Sequence, residues 1–514
     1  MWFATVARGR PAAVLLAVLG VSLLLAGGHS YSIDEETYLA NLRSLLHFER
    51  AVESAPGMQL LTVPAKDGQP TSFYGIGTAV FTAPAYVVGK GASFLVASDQ
   101  RELVLRLVYF STNSFVIAGT AATLVLIGMR IGASQRTSTL VAFCYATGTY
   151  ALAQAKTGWS EPLTALFLTL AFLGLLVLRE QLPRSWAPEA IGLMVGCATM
   201  MRSSAVVFIP IFAVAVLSCS LTPARLPNLL RMGLGASLPC ALVAFNNWWR
   251  FGSVWDNGYP PLNYNTPIYE GIFGLLASPG KGLFWFAPIT LLAVVKSPGS
   301  LKASPLLAGL LWSCIAANMA IFSRFEIWSG DNSYGPRYMG IVLPFFAILV
   351  LLSSVVNPIN KHVVATWLLG MTLTLSGSLV YFNAVYAHRV SEIIAFVGTS
   401  ATNSDGSYNW SQVRNDINFT PRYSQLVMHN QALPDVARHL GGLNLRAPQV
   451  DLYASGPQTQ LSWYQSGLRL DTWWAYWLEL GAPKRMLLLL IAPLASFVVG
   501  IRLLRSSGSR ESSF

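Results

Sequence analysis

Charge is what this sequence has least of. Only 11% of its 514 residues are Asp, Glu, Lys or Arg, against about 25% in an average soluble domain. Hydrophobic residues make up 53%, tryptophan alone contributes 15 positions, and the mean hydropathy is +0.50. A soluble fold of this make-up could not cover its surface with polar groups. The same composition excludes a disordered chain and a coiled coil. Cysteine is scarce too. Cys144, Cys197, Cys219, Cys240 and Cys314 lie in or beside apolar runs, without CxxC spacing or a histidine cluster. They read as small core residues rather than disulfides or metal ligands. There is no internal repeat and no low-complexity tract, which argues against an inverted-repeat transporter.

What the sequence does have is a succession of apolar runs long enough to cross a bilayer. The expected fold is an all-α polytopic membrane protein with about twelve transmembrane helices, outer juxtamembrane helices and a small C-terminal outer segment. The runs are Pro11–Ala26, Leu105–Met129, Thr137–Ala155, Pro162–Leu178, Pro188–Met201 and Ala205–Leu221. They continue with Leu229–Phe245, Gly282–Val295, Pro305–Phe322, Tyr338–Val356, Val363–Tyr386 and Met486–Leu504. The first has the anatomy of a signal peptide, with Arg8 and Arg10 before it and Ala-Gly-Gly-His-Ser behind. A multi-span chain needs an insertion anchor, so it is read as an uncleaved first helix.

The net charge is +11. In a soluble protein that would suggest nucleic acid. Here the basic residues sit at the ends of apolar runs and are read as topology signals, with no nucleic-acid partner. A cytoplasmic N-terminus puts Arg130, Arg136, Arg179, Arg184, Arg225, Arg231, Lys296, Lys302, Lys361, Arg502, Arg505 and Arg510 inside. This register requires Tyr74–Val96, which contains Pro84 and Lys90, to be interfacial. Both termini are then cytoplasmic, in a cell (inner) membrane. The outer face receives Gly28–Val104, Asn246–Lys281 and Ala387–Arg485. The expected division is a transmembrane module over 1–386 with its first outer loop over 28–104, an extracytoplasmic segment over 387–485, and a last helix with a basic tail over 486–514. Trp463, Trp473, Trp474 and Trp477 read as an aromatic belt before the last span.

The stretch Tyr31-Ser-Ile-Asp-Glu-Glu-Thr-Tyr follows the first run. Ser32 and Glu35 form a capping box, so a helix starts there. Leu39, Leu42, Leu45 and Leu46 recur at helical spacing, as in an amphipathic helix lying on the outer leaflet. Asp34, Glu35 and Glu36 fall in its first turn. Two readings compete: they complement the helix dipole, or they form a functional carboxylate cluster at the membrane edge.

The Asp34-Glu35 pair just after the first span, followed by Tyr38 and Arg43, resembles the GT-C superfamily of membrane glycosyltransferases, in its protein O-mannosyltransferase and lipid A aminoarabinose transferase branches. Further stretches are similar in the same order: Tyr74-Gly-Ile-Gly, Thr157-Gly-Trp-Ser-Glu-Pro-Leu163, Arg250-Phe-Gly-Ser253, Ser278-Pro-Gly-Lys-Gly-Leu-Phe-Trp285 and Tyr334-Gly-Pro-Arg-Tyr338. The resemblance covers roughly Met1 to Ala387. It departs where relatives carry a lysine before the Tyr-Gly turn; here Ser72 and Phe73 stand, with Lys66 nearby. The resemblance implies a polyprenyl-phosphate sugar donor at the outer face of the bilayer and a glycan, glycolipid or protein acceptor. It also implies Asp34 as the base. A single base opposite the leaving group implies inversion.

Glu161 is the second carboxylate expected to be catalytic, positioning the acceptor; the plain alternative is an acid opening the helix at Pro162. Glu35 is expected to cap its helix and, with Tyr38 and Tyr74, to lie at the substrate. The outer cations considered for the phosphate are Arg43, Arg202, Arg250, Arg324, Lys281 and Arg337, and all but Arg324, with Tyr338, are the expected substrate contacts, since arginine suits bidentate phosphate binding. The plain alternative is snorkelling, or pairing with Glu326, Asp331 and Asp256. Ser278–Gly282 lacks the GxxxxGK[ST] spacing and a preceding strand, so it is not read as an ATP loop. Asn409 and Asn418 head formal glycosylation sequons and are read as chance occurrences. No cofactor is required, and no His/Cys/Asp constellation supports a metal; a divalent ion at Asp34 and Glu35 stays open. Two rival classes remain: a transporter or flippase of lipid-linked sugars, and a non-catalytic membrane scaffold.

Overall fold

Helix α1 (Arg10–Leu24) starts with Pro11 in its first turn, where a missing N–H costs nothing. It lies against the last helix of the chain, Ile491–Glu511, and Ser496 Oγ donates to the Leu16 carbonyl at 2.8 Å. The computed structural model describes residues 9–53, 60–181, 185–259, 263–397, 410–441, 470–479 and 484–511. Arg8, Arg184, Asn409 and Trp463 lie outside them. Among the described residues, six helical stretches are long and apolar enough to cross a membrane: Ser98–Arg130, Ser160–Arg179, Thr222–Phe251, Pro305–Arg324, Asn360–Leu379 and Leu487–Ser506. Shorter apolar helices are Arg10–Leu24, Ala187–Met201, Ser203–Cys219, Ile268–Ala277 and Leu343–Val356.

Several of the expected spans are not single helices; Val363–Tyr386, for one, is helical to Leu379 and resumes at Phe382. The run Thr137–Ala155 is helical over Gln135–Thr147, then breaks at Gly148, where a Cβ would meet the Trp367 ring at 2.7 Å. The broken end carries the chain into the Lys156–Ser160 turn. The run Gly282–Val295 divides into Leu283–Phe286 and Ile289–Val295. Pro288 lies between them and has no N–H to continue a helix. Among the described residues the regular elements are helices, apart from one hairpin, β1 (Thr62–Pro64) against β2 (Pro70–Ser72), with Thr62 opposite Ser72, and an isolated bridge between Val380 and Leu470.

Helix α2 (Ile33–Leu46) turns most of its leucines inward, not to a leaflet; of the four at helical spacing Leu46 is exposed and Leu45 half-buried. Leu39 and Leu42 are buried against Ala79, Leu105, Tyr109 and Phe110. Helix α3 (Gly77–Ser93), which holds Pro84 and Lys90, supplies part of this cover. Nor do the tryptophans before the last helix form a lipid-facing belt. Trp473 and Trp477 are buried. The Trp473 and Trp474 indoles donate to the Leu23 and Leu24 carbonyls at 3.0 and 3.1 Å. Those carbonyls end α1 and have no partner within the helix, so the indoles cap it.

Four cysteines are buried and Cys240 is exposed; all five are free. Asn418 is buried within the helix Trp410–Phe419 and its carbonyl accepts from Gly280 N–H at 3.0 Å, so its sequon is inaccessible as folded.

Leu226, Leu230, Leu234 and Leu238 run at four-residue spacing along the exposed side of Arg225–Phe251, the pattern of a helix facing lipid. Its other side meets Ala187–Met201 at glycines. A Cβ at Gly192 would lie 1.8 Å from the Met232 carbonyl oxygen, and one at Gly235 would lie 2.0 Å from that of Glu189. Backbones this close exclude any side chain. Gly192→Ala is therefore expected to cost about 1–3 kcal/mol by forcing the pair apart, read as a lowered unfolding temperature in detergent. An unchanged temperature would mean that the two helices do not pack this way.

Candidate active site

Four charged side chains from separate parts of the sequence meet at one end of the helix bundle. Asp34 comes from the first turn of α2, and Glu161 from the first turn of Ser160–Arg179. Arg202 follows the helix Ala187–Met201, and Arg337 opens the 3-10 turn before Leu343–Val356. Ser160–Arg179 has 20 residues, a rise of about 30 Å. The far end of that helix therefore lies on the opposite side, where Arg130 pairs with Glu180.

Arg337 ties the cluster together. Its Nη1 donates to Asp34 Oδ2 at 2.7 Å and its Nε to Glu161 Oε1 at 2.6 Å. Arg202 Nη1 reaches the same Glu161 oxygen at 2.7 Å. The Arg337 guanidinium lies 4.5 Å from the centroid of the Trp159 ring, and that of Arg202 lies 5.3 Å from Tyr338. Aromatic faces support cations from behind. Glu161 is 0% exposed and its second oxygen has no hydrogen-bond partner.

In front of the two arginines is a cavity of about 1360 Å³. Asp34, Tyr74, Arg202, Arg337 and Tyr338 lie on its wall, together with Tyr259, which sequence reasoning missed. Val206, Val207, Ile321 and Phe322 give it an apolar side, and Asp331, Asn332 and Asn383 a polar one. Among the described residues Asp34 has a protein partner on Oδ2 only, so the other oxygen is available to a ligand.

The remaining sequence candidates sit elsewhere, each for a visible reason. Glu161 lies behind the guanidinium groups, bonded to both arginines, and is not on the cavity wall. Tyr38 is buried beside Tyr74, ring centroids 4.5 Å apart. Arg43 pairs with Glu102 at 2.7 Å. Arg250 is buried and fastens the hairpin loop, donating to Thr71 Oγ1 at 3.0 Å and to the Tyr74 carbonyl at 2.7 Å. Lys281 is also buried. It donates to the Ser333 carbonyl and, at 3.4 Å, to that of Gly335. Burial, helped by Arg389, pushes its ammonium well below the usual lysine range. It shapes the turn that delivers Arg337 and makes no contact with the cavity. Lys66 lies over the Trp248 ring at 5.0 Å. No group of three or more metal-ligating side chains occurs among the described residues.

Of the other two acids in the motif, Glu36 pairs with Arg106, whose Nη2 lies 3.1 Å from Oε2. Burial opposes its charge, but Arg106 outweighs it and holds the carboxyl below the usual range. Glu35 is a cap and also a long-range tie. Its Oε2 accepts from the N–H groups of Tyr31 and of Ser32, the latter at 2.8 Å, and its Oε1 from Gly158 N–H. The turn that carries Glu161 is thereby pinned to the turn that carries Asp34. Complete burial pushes the Glu35 carboxyl up to about 8, despite those donors.

This shift has a sign. Below the unfolded value of about 4.5 both states hold the proton; above it the unfolded chain ionises first, while the folded chain does so only near 8. The folded state therefore binds more protons over that interval, and its stability falls as pH rises from about 4.5 to 8. Glu35→Gln, which ionises in neither state, is expected to remove this contribution. It is also expected to cost about 1–3 kcal/mol at pH 5 by facing an amide N–H toward a backbone donor. Unfolding temperatures at pH 5 to 8 check both, and identical slopes in the two proteins would exclude the assignment.

No family model matches the chain, and neither does any curated protein. Two solved structures are similar to it. One is ArnT from Cupriavidus metallidurans bound to undecaprenyl phosphate, with 13% identity, 90% of this chain and 88% of that chain covered, and a TM-score of 0.46. The other is the archaeal oligosaccharyltransferase AglB from Archaeoglobus fulgidus in complex with an inhibitory peptide and a dolichol-phosphate. It has 11% identity and a TM-score of 0.30, covering 95% of this chain and 49% of that one. The chain thus spans about half the length of the second.

Proposed function

We propose that the chain is a membrane glycosyltransferase of the GT-C kind, moving a sugar from a polyprenyl-phosphate donor to an acceptor hydroxyl at the outer face. One observation carries the reading: a single cavity brings a carboxylate, Asp34, together with two buried-face arginines beside an apolar wall. Such a lining suits a ligand with an anionic head and a hydrocarbon tail.

The chemistry follows from the positions. The donor phosphate binds the guanidinium nitrogens of Arg202 and Arg337 that face the cavity, and the prenyl chain runs along Val206, Val207, Ile321 and Phe322. The acceptor oxygen attacks the anomeric carbon as the free oxygen of Asp34 takes its proton. The bond from that carbon to the phosphate oxygen breaks, and the arginines stabilise the charge that collects on the phosphate. Attack from the side opposite the leaving group inverts the anomeric carbon, through an oxocarbenium-like transition state. Glu161 holds the two guanidinium planes in place, and Trp159 and Tyr338 support them.

The test is reconstitution of the purified chain in nanodiscs with a panel of radiolabelled polyprenyl-phosphate sugars and solubilised envelope acceptors. Acceptor-dependent release of free polyprenyl phosphate from at least one donor is expected. Absence of turnover with every hexosyl and pentosyl donor in folded preparations would overturn the reading.

A further inference from the structure

A second charged cluster lies beside the cavity, and the proposed reaction does not use it. Asp471 belongs to a short described stretch just before the helix Trp473–Glu479, more than 300 positions beyond either motif carboxylate in the sequence. It is buried, and both of its oxygens are engaged. Oδ1 accepts from His29 Nε2 at 2.8 Å. Oδ2 accepts from the Tyr31 hydroxyl at 2.8 Å and lies 2.6 Å from Lys156 Nζ. Lys156 also donates to the Asp471 and Ser378 carbonyls at 2.6 and 2.8 Å. Burial alone would raise the Asp471 carboxyl; Lys156 and His29 outweigh it and hold the group below the usual range.

The partners sit at matching places. His29 lies five residues before Asp34, and Lys156 five residues before Glu161. The chain between His29 and Asp34 has a further tie to the second turn. Trp159 Nε1 donates to Ser32 Oγ at 3.0 Å; the second turn is also held from the helix Thr112–Arg130, whose Asn113 Nδ2 donates to the Thr157 and Trp159 carbonyls at 2.7 and 2.8 Å. The Asp471 backbone is anchored in turn, its N–H donating to the Leu379 carbonyl at 2.8 Å; the next amides follow, with Trp473 N–H on the Ala26 carbonyl at 2.7 Å. One carboxylate thus joins the turn that delivers Asp34 to the turn that delivers the Glu161–Trp159 support of Arg337.

We propose that Asp471 is a positioning residue: by bridging His29 and Tyr31 to Lys156, it sets the spacing of the Asp34 and Glu161 turns about Arg337, so that the outer C-terminal segment completes the active site. The proposal rests on the glycosyltransferase reading for its effect on turnover, but its geometric content is independent of that reading. Displacing reacting groups by about 1 Å lowers rate far more than it lowers binding.

The experiment uses the Lys156→Met/Asp471→Asn double variant of the full chain in nanodiscs. Removing both charges avoids leaving one buried charge unpaired, and Asn keeps an acceptor for Tyr31. Hydrogen exchange of residues 27–34 and 156–161 is expected to rise at least about tenfold while the spanning helices stay unchanged. The unfolding temperature should stay near that of the wild type. Turnover should fall at least about tenfold with donor KM altered less than about threefold. Unchanged exchange in the two turns overturns the proposal, as does a lost turnover accompanied by a lowered unfolding temperature and raised exchange throughout the spanning helices, which would make Asp471 a mere fold element. If the wild type transfers no sugar, the functional reading fails, and the exchange measurement still decides for or against the bridge.

Discussion

Asp34→Asn protein should insert, fold and bind donor like the wild type, and transfer sugar about 10²–10⁴ times more slowly from a matched lipid-linked donor. Asn is isosteric and keeps a carbonyl oxygen for the Arg337 Nη1 contact, which in the native chain spans 2.7 Å. What it loses is the ability to take a proton from the acceptor hydroxyl. The fold has little to lose at this position, since the side chain lines a cavity and only one oxygen has a protein partner. A lowered kcat with little change in donor KM is the signature of a group that acts in the transition state. Asp34→Glu makes a sharper control. Its extra methylene moves the carboxylate while Arg337 stays held by Glu161, so a deep loss there as well would show that position matters along with charge. Transfer by Asp34→Asn within a few-fold of the wild type would remove Asp34 from the base role.

Much of this site could be read from the chain before its structure. The capping box at Ser32 and Glu35 fixed where a helix begins, and with it the place of Asp34 in a first turn. The Gly335-Pro336-Arg337 turn and the Trp159-Ser160-Glu161 helix start are local signals of the same kind. Each depends on backbone chemistry within a few residues. Residue type alone could not separate Asp34 from its neighbours. The capping box singles out Glu35 but assigns no partner to Asp34 or Glu36; in the fold Glu36 meets Arg106 and Glu35 also meets Gly158. Those partners come from another helix and from a distant turn.

The cations divided for the same reason. Arg43, Arg250 and Lys281 are at helix ends or loops like Arg202 and Arg337, but their partners are Glu102, Thr71 and the Ser333 carbonyl. Lys156 left one visible trace, a lone lysine closing an apolar run. Asp471 left none, because what makes it special is its contact with residues 315 to 442 positions away. Helix breaks at Gly148 and Pro288 were likewise hidden inside runs whose hydropathy is continuous. Hydropathy reports burial or lipid contact, and carries little information on backbone continuity.

Replacing Arg337 should produce the widest damage of any change in the cluster, and lysine should not repair it. The guanidinium uses two different nitrogens on two carboxylates, Nη1 for Asp34 and Nε for Glu161. A lysine has one nitrogen and cannot span both at hydrogen-bonding distance. Arg337→Met would leave Glu161 buried with Arg202 as its sole cation and Asp34 with none, a break expected to cost about 3–5 kcal/mol of stability. Arg337→Lys restores charge without the fork, so stability should partly recover, while kcat/KM stays down about 10²–10³-fold because charge at the leaving phosphate is misplaced. Arg202→Lys separates the two roles. Arg202 contacts a carboxylate through Nη1 alone, a contact that an ammonium can imitate, so its loss should be smaller and appear chiefly in donor KM. Unfolding temperature and steady-state kinetics on the three variants decide the matter. If Arg337→Lys turns over within tenfold of the wild type, the phosphate is not held by this fork, and the cavity's anion site must be sought at Arg202 and the wall beyond it.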